Sequence, residues 1–143
     1  MKGLEVGQVL SLRIRFNNSG TVSKGKHPYL IVDIDEELGA VEIAQIDSLA
    51  GKEYKAAMRS NKIIFCDDPK ESVIDRDSYV QLDNTLQVED CVELLRYRRQ
   101  TDKLSEGKLK SVLAAYRRYH EKNRISEDKQ VFMNREEITR LQK

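Results

Sequence analysis

The chain has no tryptophan, and only two cysteines and two histidines among its 143 residues. Cys66 and Cys91 are far apart, stand in no metal-ligand spacing and sit beside apolar residues, so each reads as a buried reduced thiol rather than half of a disulfide or a catalytic group. No apolar run approaches the roughly 18 residues of a membrane span. The opening Met-Lys-Gly-Leu-Glu has no apolar signal region, and the expectation is a soluble, cytoplasmic protein. Charge of one sign is also missing. Charged residues make up 34% of the chain, but Lys+Arg 25 against Asp+Glu 24 leaves a formal +1. Bulk charge therefore does not announce a nucleic-acid binder, and only local clusters could serve. There is no low-complexity segment and no internal repeat. The length suits one domain with a short appendage, drawn here as residues 1–123 and a charged tail, 124–143.

The stretch Ser23 to Ser48 organises what is present. A basic loop, Ser23-Lys24-Gly25-Lys26-His27, runs into Pro28 and the apolar run Tyr29-Leu30-Ile31-Val32, which reads as a central strand covered on both sides. A Gly39-containing turn reverses the chain, and residues 41–46 return antiparallel. His27 and Ser48 should then share one sheet edge. Upstream, residues 9–16 alternate, with Leu10, Leu12, Ile14 and Phe16 on one side and Ser11, Arg13 and Arg15 on the other, the mark of a half-buried strand. Asn17-Asn18-Ser19-Gly20 ends it. Downstream, Asp47 to Lys55 reads as loop. Lys62–Cys66, Tyr79–Asp83 and Leu86–Val88 read as short strands, and Cys91–Arg99 as strand or as a helical turn followed by strand. Ser105 is a good N-cap for a helix with Leu109, Val112, Leu113, Tyr116 and His120 on one face, Leu104 and Leu109 forming a hydrophobic staple. Asn134 and Glu137 have the spacing of a capping box for a short second helix with Ile138 and Leu141 as its apolar edge. Alone it is too short to be stable, so it must dock on a partner or fray. Many short strands and one late helix predict a mainly β fold, a small antiparallel barrel with a C-terminal helix.

Three stretches then resemble one family. Leu4-Glu5-Val6-Gly7-Gln8-Val9, Gly25-Lys26-His27-Pro28-Tyr29-Leu30-Ile31-Val32 and Ile74-Asp75-Arg76-Asp77-Ser78-Tyr79-Val80-Gln81-Leu82-Asp83 resemble, in order and spacing, the strand motifs of the MazF/PemK/Kid toxin endoribonucleases. Thr101-Asp102-Lys103-Leu104-Ser105 is similar to the loop before that family's terminal helix. The resemblance covers roughly residues 4 to 120. It implies an SH3-like barrel, usually a homodimer, that cleaves single-stranded mRNA selectively and without a metal, under the control of an antitoxin. In that chemistry a ribose 2′-hydroxyl attacks the neighbouring phosphate, which requires a base, donors or a cation for the phosphorane, and an acid for the leaving oxygen. The family's catalytic Arg before the Pro is His27 here, a side chain suited to proton transfer near neutral pH. The family's Thr or Ser falls at Ser48 or Asp47. Of the two, Ser48 is the better partner, because a carboxylate repels phosphate.

Around these catalytic candidates, Arg13, Arg15, Lys24, Lys26 and Lys52 would grip phosphates, and Tyr54 would stack a base. Tyr29 suits the core better. The basic run Arg96-Tyr97-Arg98-Arg99 would meet RNA, an acidic antitoxin segment or water. Asp67-Asp68 lacks a third ligand and precedes Pro69, so no metal is expected, nor any cofactor. Competing readings are a non-catalytic RNA-binding module, an interaction domain in which the barrel is only a dimerisation scaffold, and a gyrase-binding protein resembling the CcdB family. The absence of tryptophan argues against the last, whose helix ends in Trp-Gly-Ile.

Overall fold

The computed structural model describes residues 3–99 and 102–143. Thr101, which opens one of the motif segments, lies outside them. Among the described residues seven strands form one curved, barrel-like sheet that does not close, with a long C-terminal helix, and the mainly β expectation holds. The elements run β1 (Val9–Leu12), β2 (His27–Asp35), β3 (Ala40–Ser48), α1 (Glu53–Ala56), β4 (Asn61–Ile64), β5 (Ser78–Gln81), β6 (Thr85–Glu89), a 3-10 segment (Val92–Tyr97), α2 (Glu106–Lys122), a short 3-10 turn (Glu127–Lys129), β7 (Gln130–Met133) and α3 (Arg135–Leu141).

β2 is central because its apolar residues serve both sides. Leu30 and Val32 join the cluster of Val9, Ile46 and Val80 that α2 covers through Val112 and Tyr116. Tyr29 and Ile31 join a second cluster with Leu10, Leu12, Val41 and Leu86. That double burial is why the strand shows an apolar run instead of alternation. β3 pairs along β2 and divides its other edge, Ala40–Ile43 against β6 and Ile46–Ser48 against β5. The strand order is therefore β1-β2-β3-β5-β4, with β6 and β7 branching from β3. Gly39, at φ +63°, turns β2 into β3. Gly7, at φ +99°, also brings the chain against α2, where an added Cβ would come within 2.7 Å of Leu109.

Several boundaries differ from the sequence reading. The first strand ends at Leu12, where its partner β2 begins at His27. Residues 14–16 instead fold back on 21–23, with Ser23 N donating to Ile14 O (2.9 Å) and Phe16 N to Thr21 O (3.0 Å). The stretch read as loop, 47–55, contains the end of β3 and the turn of α1.

The last twenty residues add one strand to the sheet and pack a short helix against it. β7 lies parallel to β6, Val131 beside Leu86 and Met133 beside Val88. Asn134 caps α3 by accepting from Glu137 N (2.9 Å), half of the expected capping box. The Glu137 carboxylate turns elsewhere, to Arg15 (Nε to Oε2 2.7 Å, Nη2 to Oε1 3.2 Å). α3 neither frays nor waits for a partner, because Ile138 is buried in the second cluster of its own chain. Ser105 occupies the expected position before α2, but its hydroxyl makes no capping bond. Ser105 N donates to Glu71 (2.8 Å), and Lys108 holds the same carboxylate at 2.5 Å.

Candidate functional site

The antiparallel register sets Tyr29 opposite Gln45. His27 and Asp47 therefore stand at one end of the β2–β3 pair, with Ser48 beyond. β5 continues this edge, Asp47 opposite Tyr79 and Ser48 opposite Ser78. A groove of about 230 Å³ opens there, with His27, Pro28, Ser48, Asp75, Arg76 and Arg99 among its lining residues. His27 is half-buried, and its ring makes no hydrogen bond or ion pair among the described residues. The Ser48 hydroxyl is also free of partners among them. An imidazole and a hydroxyl with open valences thus face one small space.

Asp47 lines the same groove but is fully engaged. Its carboxylate accepts from Lys52 Nζ at 3.1 Å on each oxygen, from the Tyr79 hydroxyl at 3.1 Å and from Ser48 N at 3.0 Å. With its lone pairs taken, it holds the end of β3 in shape and is a poor base. Tyr79 is buried beside it, and burial followed by the neighbouring carboxylate pushes the phenol up to about 12. Tyr29, also fully buried, is pushed up by the same two causes, and its hydroxyl closes no hydrogen bond of normal geometry.

The expected phosphate-gripping set is corrected in part. Lys52 neutralises Asp47 (3.1 Å) and is not free for a ligand. Arg15 is spent on Glu137, the Asn17 and Phe132 carbonyls and the Asn18 side chain, so it fastens the tail. Arg13 is exposed, with its backbone clasped by Gln142 (2.9 Å and 2.7 Å). Lys24 is exposed in the loop. Lys26 lies 5.1 Å over the Tyr97 ring, a cation–π contact that ties this loop to the segment carrying Arg99. Tyr54, on α1, is 72% exposed and near enough to Tyr79 to add to its shift, so it is free to stack.

The cations that do line the groove are Arg76 and Arg99. Arg76 sits in one of the motif segments, and Arg99 ends the basic run for which RNA was one of three expected contacts. Arg99 is delivered by the 3-10 segment as it returns along the outer side of β1, with Arg98 bridged to Leu10 and Arg99 N donating to Val9 O (2.7 Å). Among the described residues its guanidinium hydrogen-bonds the Val73 carbonyl alone, at 3.5 Å, and its charge helps to hold the Asp75 carboxyl down. Arg76 pairs with Asp75 (2.9 Å), whose carboxyl it holds below the usual range. Both members of that pair are more than 60% exposed, so the bond is weak and exchangeable for a phosphate. With Asp47 and Asp75 each matched, Arg99 leaves the groove modestly positive.

No protein-family model matches the chain, and no curated protein sequence matches it. The two cysteines are free and half-buried, with burial pushing the Cys91 thiol up, which suits inert thiols. Among the described residues no group of three or more His, Cys, Asp or Glu is placed to hold a metal ion, and no helix is long and apolar enough to cross a membrane.

Proposed function

We propose that this groove binds a phosphodiester of single-stranded RNA and cleaves it by attack of the adjacent 2′-hydroxyl. The observation that carries the reading is the convergence on one groove of the His27 ring and the Ser48 hydroxyl, both without partners among the described residues, with Arg76 and Arg99. Each step then has a side chain. His27 takes the 2′-hydroxyl proton as the 2′-oxygen bonds to phosphorus. Arg99 and Arg76 stabilise the charge that builds on the non-bridging oxygens, and Ser48 donates to one of them. The bond from phosphorus to the 5′-oxygen breaks, and the imidazolium returns the proton to that oxygen. The products are a cyclic phosphate and a 5′-hydroxyl end. Tyr54, exposed next to Tyr79, offers a face for a base beside the scissile phosphate. In the cell this is a cytoplasmic, dimeric RNA-cleaving toxin restrained by an antitoxin, a role that rests on the motif resemblance.

A pair of matched substrates tests it. A single-stranded RNA and the same sequence lacking one 2′-hydroxyl are incubated with the protein in EDTA. Cleavage leaving cyclic-phosphate ends, lost at the deoxy position, is the expected outcome. Binding of both strands without cleavage assigns the groove to RNA recognition alone, and no binding removes RNA from the account.

A further inference from the structure

At the other end of β4 and β5, a second and larger groove of about 540 Å³ lies between β4 and the C-terminal half of α2. Its helix side is a stripe at helical spacing, Ala115, Arg118, Tyr119 and Lys122, facing Leu82 and Arg59. Arg59, Arg118 and Lys122 are exposed and form no ion pair among the described residues, and no carboxylate lines the groove. Unmatched cations above an apolar floor of Leu82, Ala115 and the half-buried Tyr119 ring describe a pocket for an anion carried on an apolar body.

We propose that this groove docks a short acidic peptide segment of a partner protein. Its apolar side chain would rest on Leu82, Ala115 and Tyr119, and its carboxylates would meet Arg59, Arg118 and Lys122. Two observations favour a peptide over nucleic acid. The opposite flank of α2 opens on Asp33, Glu42 and Glu121, which outnumber Arg117 there and would repel a polyphosphate running across the helix. β4, whose first residue Asn61 lines the groove, is an outer strand that pairs with β5 alone among the described residues, so an extended backbone has an edge to lie along.

The probe is a labelled, end-blocked peptide, Asp-Glu-Leu-Glu-Phe-Asp-Glu, titrated into the full chain at low salt while backbone amide resonances are followed. The expected result is saturable shifts centred on Arg59, Asn61, Arg118, Tyr119 and Lys122. Binding should weaken about tenfold in R118E/K122E. Both positions are exposed, so that variant should keep the wild-type circular dichroism melt, and its RNA cleavage should be unchanged. Four results would overturn the proposal: no saturable binding, shifts centred on the His27 groove, unchanged affinity in the double variant, or shifts of these residues by a single-stranded RNA but not by the peptide.

Discussion

Asp47 and Arg99 divide the work at the groove. Asp47 spends both carboxylate oxygens on Lys52, Tyr79 and the next backbone amide, which fixes the turn of chain that presents Ser48. Arg99 forms no direct ion pair among the described residues, though its charge is felt at Asp75, whereas Arg76 bonds that carboxylate directly. Arg99→Ala should therefore lower kcat/KM on single-stranded RNA about a hundredfold, and Arg76→Ala distinctly less. Equal losses, or a larger one at Arg76, would mean the pairing with Asp75 does not govern how each arginine meets phosphate. The nearness of His27 to Ser48 was legible in the sequence, because a strand, a glycine turn and a returning strand bring their outer ends together. Arg99 was not, since it reaches the groove only through a 3-10 segment laid on the far side of β1. The fates of Lys52 and Arg15 were hidden for a related reason: a sequence shows a cation but not the carboxylate that will capture it.

At the scale of elements, the tail is held to the sheet by the pairing of β7 with β6, by a few polar ties and by the buried side chains of Val131, Met133 and Ile138. Arg15 and Glu137, each 21% exposed, form the firmest of those ties. Asn18 adds two more, donating to the carbonyls of Glu127 and Gln130 (2.7 Å each). The hydrogen bond from Arg15 holds the Glu137 carboxyl below its usual range. A carboxyl depressed by folding stabilises above its unfolded pKa, here 4.5, and that contribution is lost as pH falls through the lower folded value. Hydrogen exchange of α3 should accordingly quicken below pH 4.5, with the barrel strands less affected. Glu137→Gln should flatten that dependence and cost about 2 kcal/mol at neutral pH. An α3 whose protection ignores acid in the wild type would contradict the tie. The capping spacing of Asn134 announced this helix, but its docking site did not show, because Ile138 and Leu141 reveal an apolar edge and not what covers it.

For the whole molecule, the two clusters back onto the shared strands β2 and β3, so the groove at their ends depends on both. Val131, Met133 and Ile138 all contribute to the second cluster. Burying three such side chains is worth about 6 kcal/mol, comparable to the roughly 5–15 kcal/mol that holds a domain together. A chain ending at Asn123 should lose its cooperative thermal transition in circular dichroism and its RNA cleavage with it. A truncated chain that melts like the full one would show that the tail is an appendage after all.

Single-turnover cleavage of a single-stranded RNA in EDTA, by the wild type and by His27→Ala, weighs the central claim most directly. The imidazole moves the proton, so its loss should slow cleavage about a hundredfold to a thousandfold while leaving RNA affinity nearly unchanged. Equal rates in the two proteins, or a wild type that binds the strand and never cuts it, would contradict the account.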